Sequence, residues 1–338
     1  MIDLDDITFI GSGLQRPECV LTHASGLLFA ADWAGAGGVA VISPDGSVHR
    51  IEADREMRPN GIALEAGGTF LLAELGAETG GVFRLHPDGT VEPVVSELDG
   101  RPLPPTNYVH QDAQGRLWIT VSTRRIPRDL GYRADIDDGF IVLADERGVR
   151  LVADGLGYTN ECLVAPDGAH LYVNETFTRR LSRFPIAADG TLGDKQVVAG
   201  FGEGTYPDGL TFDAEGGVWI TSIVSNRVIR IAPDGRQKVV VEDADPAHIA
   251  WTEQAYRADE LGRPHLDKAA GRRLANISSL AFGGPDLRTA YLGCLLGDQI
   301  AGFRSPVAGH APVHWTHPLG PLAALFNAPF QRPGDNGT

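Results

Sequence analysis

Cysteine is scarce in this chain. Its 338 residues hold three, Cys19, Cys162 and Cys294. They form no C-x-x-C pair and cannot build a full disulfide framework, so a reduced, cytoplasmic setting is expected. Positive charge is also short: 29 Lys and Arg against 44 Asp and Glu leave a formal charge of −15. Nucleic acid and anionic membranes both select a positive footprint, so neither is expected as a partner. A chain this acidic is suited to concentrating cations. No apolar run approaches membrane-spanning length. The opening MIDLDDITFIG lacks the basic and apolar regions of a secretory signal. G-x-S-x-G, Walker loop, H-E-x-x-H and a dinucleotide fingerprint are all missing, which removes the chemistries those motifs carry. Long helical periodicity is nearly absent.

What is present is repetition. Hydrophobic content of 43% and charged content of 22% are those of an ordinary globular protein. Six apolar stretches suit packed strands: LLFAADW, TFLLAEL, RLWITVS, HLYVNET, GVWITSI and TAYLGCL. Turn signals such as EAGG, DAQG, APDG and DAEG precede most of them. A second strand follows each, as in GVAVIS, GVFRLH and RVIRIA, and most end in SPDG, HPDG or APDG. Asp-Gly marks hairpins because glycine supplies the positive φ that tight turns demand. A further strand closes most units. The unit is therefore four short antiparallel strands, repeated six times. One such sheet cannot bury both faces, whereas six packed radially can, so the expected fold is all-β, a six-bladed β-propeller. It is read as one domain over residues 1–330, with 331–338 as a disordered tail. Two segments compete to supply the outer strand that closes the ring, ITFIGSGL near the N-terminus and VHWTHP near the C-terminus.

Aligning the first strand of every unit brings Glu18, Asn60, Asn107, Asn160, Asp208 and Ser278 into equivalent places. In a propeller these strands line the central channel, so the six side chains should converge at one mouth. All present oxygen. Hard cations such as Ca²⁺ favour carboxylate and carbonyl oxygens, and two close carboxylates repel unless a proton or a cation lies between them. The bland reading is that Asn and Asp begin strands because they suit turns; the metal reading explains the set, Glu18 included.

The order of RPEC around Glu18, the Asn107 segment ending in GRLW, TNECLVAPDGAHLYVNETFTRRLSRF, YPDGLTFDAEGGVWIT and SLAFGGPDLRTAYLG resembles the SMP-30/gluconolactonase/regucalcin-like family of six-bladed propellers. The resemblance spans about residue 7 to 315. It implies one divalent cation, Ca²⁺ with Zn²⁺ or Mn²⁺ as alternatives, held by Glu18, Asn160 and Asp208. Asn107 stands beside it as a substrate contact or outer ligand. It also implies hydrolysis of lactones. A bound cation polarises the ester carbonyl and stabilises the oxyanion, and Asp208 can take a proton from water, with Glu18 beside it as the other catalytic carboxylate. Sugar-lactone members often carry an arginine two places before the residue matching Asn107; Pro105 stands there, which weakens a sugar assignment.

Two segments exceed ordinary connection length, 122–139 within unit three and 245–276 between units five and six. Both belong on the face of the ring. The first offers Arg124 and Arg125, with Arg128, Tyr132 and Arg133, for a substrate carboxylate; solvated loop arginines are the plain alternative. The second offers His248 as an acid or base, with Trp251 and Tyr256, and TEQAYRADELG as a short helix. Asn60 is either an outer ligand and substrate contact or a cap on its strand. His110 reads as structural, and Cys19 and Cys162 as small side chains at blade contacts. The expected partner is a small molecule. A metal-dependent lactonase is the leading function; a phosphotriesterase-like hydrolase, a biosynthetic lyase or isomerase, and a non-catalytic binding propeller are the alternatives.

Overall fold

The computed structural model describes residues 1–324. It contains six four-stranded antiparallel sheets arranged as the blades of a propeller. The innermost strands are Val20–Thr22, Pro59–Leu64, Thr106–Gln111, Thr159–Val164, Thr205–Phe212 and Ile277–Gly283. In blades one to five the four strands follow one another in sequence. Blade six takes only three from its own segment, and Thr8–Ile10 supplies the fourth by pairing with Ile300–Arg304. The N-terminal candidate therefore wins the closing position. Ile7, buried beside Trp219 and Phe282, anchors that strand.

VHWTHP is not a strand. It belongs to a segment that crosses the end of the channel remote from the ring. His310 N–H bonds to the Phe212 carbonyl, Ala24 N–H to Trp315 and Gly67 N–H to Pro318, so the segment ties blade five to blades one and two. A cavity of about 370 Å³ lies beneath it, lined by Ile62, Val109, His110, Phe212 and His314 among others. LAALF runs past residue 324, and the tail at 331–338 lies outside the described residues.

The turn motif explains why blades three and five are alike. In DAQGRLW, Asp112 accepts hydrogen bonds from Trp118 Nε1 at 2.8 Å and Arg116 Nε at 2.6 Å. In DAEGGVW, Asp213 accepts from Trp219 Nε1 at 2.7 Å, and from Arg230 Nε at 2.6 Å on the next strand. Each buried carboxylate thus locks a hairpin and satisfies an indole that would otherwise be stranded in the core.

Both long insertions project on the ring face. The segment 122–138 contains one turn of 3-10 helix, Arg128–Gly131. The segment 243–276 carries α1, Pro246–Arg257, and the single turn α2, Arg263–Leu266. The helix starts earlier than the TEQAYRADELG stretch suggests, because Asp245 caps it by accepting from Ala247 N–H and Pro246 fits its first turn. Among the described residues no helix is long and apolar enough to cross a membrane.

Candidate functional site

The innermost strands share one irregularity. In blades two to six the register with the second strand slips, between Pro59 and Ile62, Thr106 and Tyr108, Thr159 and Cys162, Pro207 and Leu210, and Ile277 and Ser279. Asn60, Asn107, Asn160, Asp208 and Ser278 sit inside those slips. A bulge frees a residue from the ladder and re-aims its side chain, so the ring is built from equivalent bulges. Upstream of three ring residues the backbone also turns through the left-handed region: Arg16, Tyr158 and Asn276 have φ of 53°, 63° and 59°. Each lies two residues before Glu18, Asn160 or Ser278. Gly61 and Gly209 permit the close approach of neighbouring blades. A Cβ on Gly61 would meet Tyr108 at 2.4 Å, and one on Gly209 would meet the Ser278 carbonyl at 2.5 Å.

The six predicted ring residues are all buried, and bonds run between neighbouring blades around the axis. Ser278 Oγ donates to the Glu18 carbonyl at 2.8 Å, and Asn60 Nδ2 to the Asn107 carbonyl at 3.0 Å. Asn160 Nδ2 donates to Thr176 Oγ1, whose hydroxyl donates to the Pro207 carbonyl. Asn174 Nδ2 bonds the carbonyls of both Asp208 and Gly209, and Thr221 Oγ1 accepts from Gly209 N–H. The peptide carrying Asp208 is therefore fixed from two sides.

A third carboxylate shares this space. Glu161, next to Asn160, is buried and accepts Leu210 N–H at 3.0 Å. Burial first, and then the Glu18 charge, hold the Asp208 carboxyl well above the usual range; Arg16, Arg128 and an Asn160 hydrogen bond pull it down. Burial likewise raises Glu161; the Leu210 bond opposes this, while Asp208 and Glu18 add to the rise. Two arginines offset the acids. Arg16 Nη2 lies 2.7 Å from Glu18 Oε2, close enough for an ion pair but off the line of a hydrogen bond, so that oxygen has no donor. Arg128, carried over the ring by the blade-three insertion, is close enough for its charge to act on Glu18 and Asp208.

Among the described residues no three His, Cys, Asp or Glu side chains are placed to hold a metal by themselves. The donor set is mixed instead. Glu18 Oε2, Asn60 Oδ1 and Asn107 Oδ1 are all sealed from solvent and accept no hydrogen bond. Buried acceptors without donors are costly unless something positive meets them. Arg16 partly meets the charge of Glu18, whereas the two carboxamide oxygens have no positive neighbour of that kind, and oxygen donors of this mixture fit a hard divalent cation.

The insertions meet above the ring in an aromatic cluster. Tyr132 packs on Phe177 at 4.5 Å and on Tyr158 at 5.2 Å, and Tyr206 meets Tyr256 of α1 at 5.6 Å. α1 is held by Glu253, whose Oε1 accepts from Arg179, Tyr206 and Gly204 N–H. The other predicted substrate contacts have partners of their own. Arg124 is exposed and paired with Asp154, Arg125 is exposed and paired with Asp138, and His248 Nε2 bonds the His265 carbonyl at 2.8 Å. Pro105, at the expected arginine position, is buried and offers no donor. Glu161, Arg16 and Glu253 were not singled out by sequence, and only the TNEC and RPEC runs carried a signal for the first two; Arg128 was named only as one of several loop arginines.

The chain is thus a six-bladed propeller with an acidic, carboxamide-rich ring at one channel mouth. Residues 17–257 match the SMP-30/Gluconolactonase/LRE-like region, and the chain belongs to that family. It is 30% identical to a 6-deoxy-6-sulfogluconolactonase of Pseudomonas putida over 187 residues, 54% of this chain and 50% of that protein. The chain spans about half the length of the curated relatives it matches. In structure it resembles a gluconolactonase of Xanthomonas campestris, with a TM-score of 0.65, 19% identity and 89% of each chain covered. It also resembles the calcium-binding protein regucalcin of Agrobacterium tumefaciens, with a TM-score of 0.63, 18% identity, and 92% of this chain and 97% of that one covered.

Proposed function

We propose that this chain is a divalent-cation-assisted hydrolase of lactones, with Glu18, Asn160 and Asp208 as the cation ligands and Asp208 as the proton acceptor. The observation that carries this reading is the buried ring itself, in which carboxylates and carboxamides come from separate blades and the oxygens of Glu18, Asn60 and Asn107 accept no hydrogen bond. Ca²⁺ suits the set best, because it contains neither imidazole nor thiolate. When bound, the cation would supply Lewis-acid polarisation of the ester carbonyl and offset the oxyanion charge.

The residues of the chain account for the rest. Asp208 is held rigidly by the bonds that Asn174 makes to its peptide, which fixes its carboxylate beside Glu18. It takes a proton as water adds to the carbonyl carbon, and returns it to the ring oxygen as the C–O bond breaks, leaving a hydroxy acid. Asn107 and Asn60 offer carboxamide oxygens to the same space. Tyr132, Tyr158 and Phe177 wall the site and limit water. The sulfogluconolactonase kinship supports the reaction class.

The test is a lactone panel assayed on chelator-treated protein, with Ca²⁺, Mn²⁺ or Zn²⁺ restored, and Asp208→Asn as control. Turnover of one lactone class that needs added cation and Asp208 is expected. Cation binding without hydrolysis of any lactone would move the assignment to another reaction on the same ring.

A further inference from the structure

Arg128 is the unusual cation of this site. Its Nε donates to Tyr158 Oη at 2.8 Å. Arg128 is half-buried, and among the described residues no carboxylate lies within ion-pair distance of it, so its guanidinium lacks an acid partner. The contrast with its own loop is sharp: Arg124, Arg125 and Arg133 all have acidic partners and all sit at the surface. Arg128 instead turns inward against Tyr132 and Tyr158, within reach of the fields of Glu18 and Asp208.

Charge counting gives the same direction. Glu18, Glu161 and Asp208 contribute at most three negative charges, and Arg16 and Arg128 contribute two positive ones. A divalent cation then leaves the closed site with a net positive charge even when every carboxylate is ionised. A desolvated positive excess is stabilised by a ligand that brings its own negative charge. The two terminal nitrogens of a guanidinium form a fork that matches two oxygens of one acid group.

We infer that Arg128 is the receptor for an oxyanionic substituent, carboxylate or sulfonate, on the lactone. This rests on the lactonase reading for the ring of the substrate, and it adds the acid group and the residue that selects it. Of the loop arginines that the sequence offers for that role, Arg124, Arg125 and Arg133 stay in their surface pairs, and Arg128 is the one left to fill it.

The experiment uses inert lactams, so that binding is read without turnover. Calcium-loaded protein is titrated calorimetrically with pyroglutamate, with its neutral carboxamide twin, and with a pyrrolidinone bearing a sulfomethyl group. The expected result is an acid-over-amide preference of about 10–100-fold, as charge-assisted bonds allow. Arg128→Gln should collapse that ratio toward one, and Arg128→Lys should keep part of it. The two acidic arms separate carboxylate from sulfonate. Unchanged melting temperatures exclude misfolding as the cause. No acid preference in the wild type, or a preference that survives in Arg128→Gln, overturns the inference. An Arg128-dependent preference in a protein that opens no lactone would overturn the hydrolase reading while supporting the acid receptor.

Discussion

Glu161 accepts the backbone N–H of Leu210 at 3.0 Å, across the contact between blades four and five. The bond closes a bulge while placing a third carboxylate beside Glu18 and Asp208. Its two effects separate by substitution. Glu161→Gln keeps an oxygen for Leu210 and removes the charge. Stability should stay within about 1 kcal/mol in urea unfolding, while Ca²⁺ affinity by calorimetry should fall about tenfold, since ligand charge tunes such sites. Glu161→Ala should also lose roughly 1–3 kcal/mol, because Leu210 N–H is left buried without an acceptor. Equal affinity in the wild type and the Gln variant would remove Glu161 from the site.

The Asp213 lock in blade five predicts an asymmetry. Trp219→Phe removes one donor and leaves Asp213 paired with Arg230. A cost of about 1–2 kcal/mol is expected. Asp213→Ala strands the indole N–H and the Gly217 N–H, while Arg230 keeps Glu215, and should cost more, roughly 2–4 kcal/mol. Denaturant midpoints for the two variants test the order. Burial raises the Asp213 carboxyl, yet Arg230, Trp219 and Gly217 N–H outweigh it and hold it below its ordinary value. Its contribution is thus present above the unfolded carboxylate pKa and lost as the pH falls through the lower folded value.

The ring was legible because the repeat is. Once the strand pairs and Asp-Gly turns are aligned, Asn60, Asn107, Asn160 and Asp208 fall into register with no knowledge of the contacts. Glu161 was not legible for a specific reason. Strict alternation sends neighbouring strand residues to opposite faces, and Asn160 was already assigned to the channel. The slip between Thr159 and Cys162 suspends that rule and lets both residues serve the site. Arg128 was named among the loop arginines but could not be told apart from them. Five arginines crowd the segment from 124 to 147, and nothing local tells an inward side chain from those that pair with Asp154, Asp138 or Asp135. The closing strand was ambiguous because Thr8–Ile10 contributes only three residues, and partner choice between two short segments is a tertiary matter.

Glu253 fastens α1 to the propeller through Arg179, Tyr206 and Gly204, and it is only 3% exposed. The rest of α1 offers little to bury: Thr252 and Ala255 are its other buried residues. Glu253→Ala should therefore loosen the helix locally before it unfolds the blades. Hydrogen exchange should accelerate over 246–266, with the innermost strands unchanged. Uniform acceleration along the chain would show that the helix is part of the global folding unit.

At the other end of the channel, His110 Nε2 and His314 Nε2 are sealed from solvent and have no hydrogen-bond partner, although each residue keeps an exposed edge. Burial is the main cause in both cases, and it pushes His110 down to about 4 and His314 down to about 3. Asp112 opposes the shift at His110, whereas His317, His110 and His23 add to it at His314. An unfolded histidine titrates near 6.5. Above that pH both imidazoles are neutral in either state and the shift costs nothing. Below it the unfolded chain binds protons that the folded chain refuses, so stability falls with pH from about 6.5 until the folded groups titrate. For His110 alone the loss is on the order of 3 kcal/mol. His110→Gln should flatten the pH dependence of urea unfolding between about pH 6 and 4 by roughly one proton's worth of slope. The segment across the channel end, tied to Phe212, Ala24 and Gly67, should be the first to open in acid. Exchange of the Ala24 and Gly67 amides, compared at pH 7 and 5 after correction for intrinsic rates, measures that directly. An unchanged slope in the Gln variant would show that His110 is protonated as readily in the folded protein as in the unfolded chain.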